Sequence, residues 1–150
     1  MRFEKALVDR LRENLNKGYA LDANVLINSL GVCRKTPKKL DRLLRNELIV
    51  LYEFIVHETI KVANKYIHSP NFKETIMKRI DRPNFRIVKD KRFEREDFFR
   101  ELNPSLYDVL LQEHIHGNDL HLLISANFEK TTLFSYDYEI CRVASKYRIK

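Results

Sequence analysis

Glycine and proline are scarce, at three and four residues in a chain of 150. That excludes a disordered or low-complexity protein, which is rich in such residues. No apolar run approaches the roughly 20 residues of a membrane span. The opening MRFEKALVDRLRENLNKG is charged throughout and lacks the apolar core of a signal peptide. These absences predict a cytoplasmic protein with no membrane partner. Cysteine is limited to Cys33 and Cys141, neither in a CxxC or a Cys/His cluster. The expectation is two reduced, buried and inert thiols. The five histidines show no metal-ligand spacing and no Ser-His-Asp arrangement.

What is present is an ordinary globular composition, 44% apolar and 33% charged, with a formal net charge of +7. The length suits one domain with a sizeable core, spanning 1–150. A basic balance favours nucleic acid or an anionic membrane surface as partner. It gains meaning only if the acidic residues are themselves arranged for something.

Periodicity gives a coarse map. Phe3, Leu7, Leu11 and Leu15 recur every four residues, predicting an amphipathic helix at about 2–17 that ends near Gly18. YAL then reads as a short buried strand running into Asp22, and NVLINSLGV as a helix starting at once. TPKKLDRLLRNE is a helix with Pro at an early position and Leu40, Leu43 and Leu44 on one face. LIVLYEF is β-branched and aromatic, a second buried strand. IVHETIKVANKYI and NFKETIMKRI are helical, and NFRIVKD is a third strand. EREDFFRELNPSLYDVLLQEHI is helical with a break at Asn103-Pro104. NDLHLLISANF is an apolar helix with Asn118 as candidate N-cap. TTLFSYD is a fourth strand, YEICRVASKY a helix, and RIK a terminal strand. Alternation of this kind predicts an α/β fold, a mostly parallel sheet covered by helices on both faces.

Of 21 acidic residues, most lie in charged runs such as KDKRFERED and read as a solvated face. Four sit against apolar sequence, at a strand end or a helix start. Asp22 ends YAL, Glu58 follows LIVLYEF, Asp119 opens an apolar helix, and Asp137 ends TTLFSYD. In a parallel sheet these positions converge on one edge, where ligands bind. Four carboxylates there stay ionised together only if a cation offsets them. Oxygen donors without His or Cys suit Mg²⁺ or Mn²⁺ rather than zinc. Such an ion serves phosphodiester cleavage, and surrounding Lys and Arg would hold the phosphate backbone. Each acid also has a plain reading. Asp22 could cap a helix, Glu58 and Asp119 could favour a helix dipole, and Asp137 could be a turn residue.

The same residues carry a family resemblance. ALDANVLI, IVHETI, NDLHLLISA and TLFSYDYEI resemble, in order, the motifs of PIN domains, and cover the chain from Tyr19 to Lys150. The resemblance implies a three-layer α/β/α sandwich with about five parallel strands, KYRIK being the closing one. It implies a divalent-metal-dependent endoribonuclease acting on single-stranded RNA, with Asp22, Glu58, Asp119 and Asp137 as catalytic metal ligands. Glu53 is an alternative second acid, set aside because it falls inside the predicted strand. Many small members are toxins of VapBC-type toxin–antitoxin pairs, and small PIN proteins are often homodimers. An antitoxin partner and a second copy of the chain are therefore implied. The alternative from another class is a non-catalytic PIN-like RNA-binding or scaffold module.

Other residues are weighed beside these. Asn24 could orient Asp22 or a metal-bound water, or cap the helix. Ser135 could hydrogen-bond a site carboxylate, or be a plain strand-end serine. Glu139 reads as a solvated helix-start acid. Of Tyr19, Tyr52, Tyr136 and Tyr138, one could stack on a base, although core packing is the favoured expectation. Arg34, Lys35, Lys38 and Lys39, with Lys89, Lys91, Arg92 and Arg95, are the candidate RNA-backbone contacts.

Overall fold

The computed structural model describes residues 18–29, 38–66 and 72–149. Among them are four strands, β1 (Tyr19–Leu21), β2 (Ile49–Tyr52), β3 (Phe85–Val88) and β4 (Thr132–Phe134). Eight α-helices accompany them: α1 (Ala23–Ser29), α2 (Lys38–Asn46), α3 (Glu53–Tyr66), α4 (Phe72–Ile80), α5 (Glu96–Leu102), α6 (Pro104–Gln112), α7 (Gly117–Glu129) and α8 (Tyr138–Lys146). A 3-10 turn, Lys91–Glu94, precedes α5.

The strands form one parallel sheet in the order β3-β2-β1-β4. Val50 and Leu51 point to opposite faces of β2, and both are fully buried. Helices therefore cover both faces, as expected for an α/β sandwich. Strands this short are stabilised by burial rather than length: Ala20, Leu21, Ile49 and Tyr52 are also fully buried. At roughly 25 cal/mol per Å² of apolar area, that burial is the main favourable term.

The order of the strands matters for function. From β1 the chain builds outward to β2 and β3, then returns to place β4 on the other side of β1. The reversal opens a crevice at the carboxyl ends of β1 and β4, the usual ligand site in such sheets. The backbone N–H of Asp22 donates to the Phe134 carbonyl at 3.0 Å, carrying the β1–β4 ladder into that crevice. Gly18 makes the entry to β1 possible. Its φ is +84°, and a Cβ there would lie 2.4 Å from the Leu48 carbonyl oxygen, a contact and a conformation that only glycine tolerates.

Several expectations need correction. No fifth strand is present among the described residues. Arg148 takes φ +58° and turns the chain back, so that the Ile149 N–H bonds the Ala144 carbonyl of α8 at 2.7 Å. Ile149 is buried as the end of a helix cap rather than as a strand. The strand read in LIVLYEF stops at Tyr52, and Glu53 and Phe54 open α3. The N-cap of α7 is His116, not Asn118, because the helix begins at Gly117. The break at Asn103-Pro104 stands: the Asn103 side chain accepts the Leu106 N–H, and Pro104 needs no partner at the helix start. The helix expected at about 2–17 lies outside the described residues.

Candidate active site

Asp22 directly follows β1 and precedes α1, with only 5% of its surface exposed. Its charge is not left alone. Oδ1 accepts the Ala23 N–H at 2.7 Å, and Oδ2 accepts the Ser135 hydroxyl at 2.7 Å. Its carbonyl accepts the N–H groups of Val25 and Leu26, each at 3.1 Å. Asp22 thus holds the start of α1 through Ala23 and the end of β4 through Ser135. Burial raises its pKa. The Ser135 and Ala23 hydrogen bonds oppose that shift, and the charge of Asp137 adds to it.

Ser135 links two of the acids. It donates to Asp22 while its Oγ accepts the Asp137 N–H at 3.0 Å. It stands just past the end of β4, next to β1 in the sheet. Asp137 caps α8, its Oδ1 accepting the Glu139 and Ile140 N–H groups at 2.9 and 3.4 Å.

Asp119 lies in the first turn of α7, half-buried. Its pKa is pushed up to about 6, first by burial and then by the charges of Asp22, Glu58 and Asp137. Glu58, in the second turn of α3, is raised by burial and by Asp22, while Asn118 and Lys61 favour its charged form. The four acids named from the sequence therefore share one electrostatic neighbourhood. Glu53 turns the other way: its carboxylate meets His57 Nε2 at 3.6 Å on the same face of α3. The strand argument against Glu53 fails, since Glu53 is helical. Helical geometry still separates the two: five residues along a helix is about 140° of rotation.

Among the described residues, no three Asp, Glu, His or Cys side chains stand close enough to hold one ion among themselves. The donor chemistry nevertheless fits a hard divalent cation. All the donors are carboxylates, and burial, with their like charges adding to it, holds Asp119 well above its ordinary pKa. Mg²⁺ in particular keeps several waters and needs only one or two carboxylates beside a substrate phosphate.

The remaining candidates divide. Asn24 orients neither Asp22 nor a cap; its Oδ1 accepts the Tyr136 N–H at 3.2 Å. Tyr52 is buried and Tyr19 packs against the core, but Tyr136 and Tyr138 are exposed, against the expectation of core packing. They flank Asp137, and Tyr138 opens α8. Glu139 is a solvated acid paired with Arg142 at 3.0 Å. Cys141 is exposed rather than buried, its thiol donating to the Ser135 carbonyl at 3.5 Å; Cys33 lies outside the described residues. Lys38, Lys39, Lys89, Lys91, Arg92 and Arg95 are all exposed. Arg92 is engaged by Asp90 at 2.6 Å and lies over the Phe98 ring. Arg34 and Lys35 lie outside the described residues. Beside Glu58, Lys61 was not singled out from the sequence, and Asn118 only as a candidate N-cap. Their signal was available, since Asn118 adjoins Asp119 and Lys61 lies three residues from Glu58.

No helix among the described residues is long and apolar enough to cross a membrane. No curated protein matches the sequence. The fold is similar to that of a chain in the crystal structure of VapBC2 from Rickettsia felis bound to a DNA fragment from their promoter. The TM-score is 0.56 and the identity 21%, over 83% of this chain and 92% of that one. The family model of the PIN domain matches residues 19–146. The chain thus belongs to the PIN domain family, whose members are generally nucleases that use divalent metal ions.

Proposed function

We propose that this chain is a divalent-metal-dependent endoribonuclease that cuts single-stranded RNA, and the toxin of a toxin–antitoxin pair. The observation that carries the reading is the Ser135 bridge that ties Asp22 to Asp137 beyond the ends of β1 and β4, with Glu58 and Asp119 near enough to feel the charge of Asp22. Asp22 and Asp119 would hold Mg²⁺ or Mn²⁺, with Glu58 and Asp137 completing the donor set. When bound, the ion supplies neutralising charge and Lewis acidity at the phosphodiester. Ser135 acts as a positioning residue by holding Asp22 and Asp137 in fixed relation. Water is the attacking group, so no side-chain nucleophile is required. Lys38, Lys39, Lys89, Lys91 and Arg95, with Arg34 and Lys35, would bind the RNA backbone by charge.

The fold likeness to a chain of the VapBC2 complex supports an antitoxin partner. A homodimer, a cytoplasmic location and a single domain over 1–150 belong to the same reading.

The purified chain should cut a labelled, unstructured RNA in Mg²⁺ or Mn²⁺, stop on chelation, and resume when the ion is restored. Failure to cut any single-stranded RNA with either ion overturns the proposal. The wide spacing of the acids favours one alternative, a non-catalytic RNA-binding or scaffold module. RNA held but left intact in Mn²⁺ would identify that module.

A further inference from the structure

Two large aromatic side chains stand in solvent on either side of Asp137. Tyr136 is 49% exposed and Tyr138 76%. They differ in how they are held. Tyr136 is fixed from three directions: its N–H donates to Asn24 Oδ1 at 3.2 Å, its hydroxyl accepts Asn28 Nδ2 at 3.1 Å, and its ring meets Phe134 edge-on at 5.8 Å. Both asparagines come from α1, the helix that begins immediately after Asp22. A hydrogen bond to a tyrosine hydroxyl normally accompanies burial of the side chain. Here the Asn28 bond holds a residue that is half exposed.

We propose that Tyr136 is a stacking platform for an unpaired nucleobase of the RNA strand that enters the acid site. The inference rests on the endoribonuclease reading and adds to it how the strand is positioned. Tyr136 lies between Ser135, which donates to Asp22, and Asp137, one step of about 3.8 Å along the chain from each. A phosphate approaching four carboxylates is repelled until a cation is present. A neutral ring beside them attracts the neighbouring base without regard to charge. Stacking on an aromatic face is tolerant of sequence and is open only to bases outside a duplex. Because the ring is already ordered, little side-chain freedom is lost on binding. Asn24 and Asn28 are then positioning residues for the platform.

The test is anisotropy titration of a labelled, unstructured RNA oligomer in metal-free buffer, with saturation kinetics in Mn²⁺ beside it. Tyr136→Ala should bind about tenfold more weakly, the usual loss for one stacked base. Tyr136→Phe keeps the ring, loses the Asn28 bond, and should bind within about twofold of wild type. If Tyr136 were merely a loop latch, Tyr136→Phe would fall with Tyr136→Ala. A scan of single abasic sites along the RNA should find one position that weakens wild type by the same factor. That site should weaken Tyr136→Ala no further. DNA of the same sequence should show the same loss on Tyr136→Ala, because the contact is to the base; tighter wild-type binding of DNA than of RNA overturns the assignment to RNA. Unchanged RNA binding by Tyr136→Ala overturns the platform while leaving the nuclease reading intact. A wild-type chain that neither binds nor cuts RNA in Mn²⁺ removes the nuclease reading, and the platform with it.

Discussion

Asp22→Asn should fold as the wild-type chain does, and cut single-stranded RNA slower by at least about a thousandfold, roughly 4 kcal/mol at the transition state. The fold should survive because asparagine has the same shape and can keep both contacts. Its Oδ1 still accepts the Ala23 N–H, and its Nδ2 can donate to Ser135 Oγ, which already accepts the Asp137 N–H. Removing the charge also relieves the burial that raises the pKa of Asp22. Activity should not survive, because an amide gives a divalent cation a far weaker donor than a carboxylate. Thermal melting checks the first half and timed cleavage the second. Wild-type rates in the variant would remove Asp22 from the metal site.

Asp119→Asn should separate stability from activity. The folded-state pKa of Asp119 is pushed up to about 6 from an ordinary 3.8. Between those values the unfolded chain has released its proton and the folded chain has not, so stability falls as pH rises. Above about 6 the penalty is complete, and below the ordinary value it vanishes. Taken at face value, a shift of that size corresponds to about 3 kcal/mol. Asp119 is only half-buried, and solvent screening reduces that. Asparagine also gives up a favourable charge in the first turn of α7, worth about 0.3–1 kcal/mol. The net expectation at pH 7.5 is a gain of about 1 kcal/mol, or about 2–4 °C in Tm for a chain of this size. Most of the gain should disappear at pH 4. Adding Mn²⁺ should reverse the order, because the ion stabilises the folded chain that binds it. RNA cleavage should be lost at every pH. Equal melting of the two proteins at pH 7.5 without metal would mean that Asp119 carries no net penalty from burial and neighbouring charge.

Asp22 and Asp137 could be named as candidates because a parallel sheet sends every strand end to the same edge; Glu58 and Asp119 were named as helix-start acids beside apolar sequence. A carboxylate at the end of an apolar run could then be assigned to that edge from sequence alone. Boundaries were less legible. LIVLYEF is apolar except for Glu53, a single charge that the strand reading absorbed, although it is the acid that opens the helix. The strand reason for preferring Glu58 therefore fails, and helical rotation, which sets Glu53 beside His57, is the argument that remains for it. RIK has strand-like residues, yet the positive φ of Arg148 turns it into a helix cap, a choice made by packing of Ile149. Asn24 and Tyr136 are 112 positions apart in the chain, and no local pattern could pair them. The same holds for Ser135 and Asp22, although the strand-end position of Ser135 made it a candidate. Tyrosine near a strand end reads as core, yet Tyr136 and Tyr138 lie beyond the last residue of β4 and stand in solvent.

The central claim is that Asp22, Glu58, Asp119 and Asp137 together make a divalent-cation site. Calorimetric titration of Mn²⁺ into the wild-type chain and into Asp22→Asn tests it most directly, without RNA. The account predicts saturable uptake by the wild type and binding weaker by at least about tenfold, or 1.4 kcal/mol, in the variant. No uptake by the wild type, or equal uptake by both proteins, would contradict it.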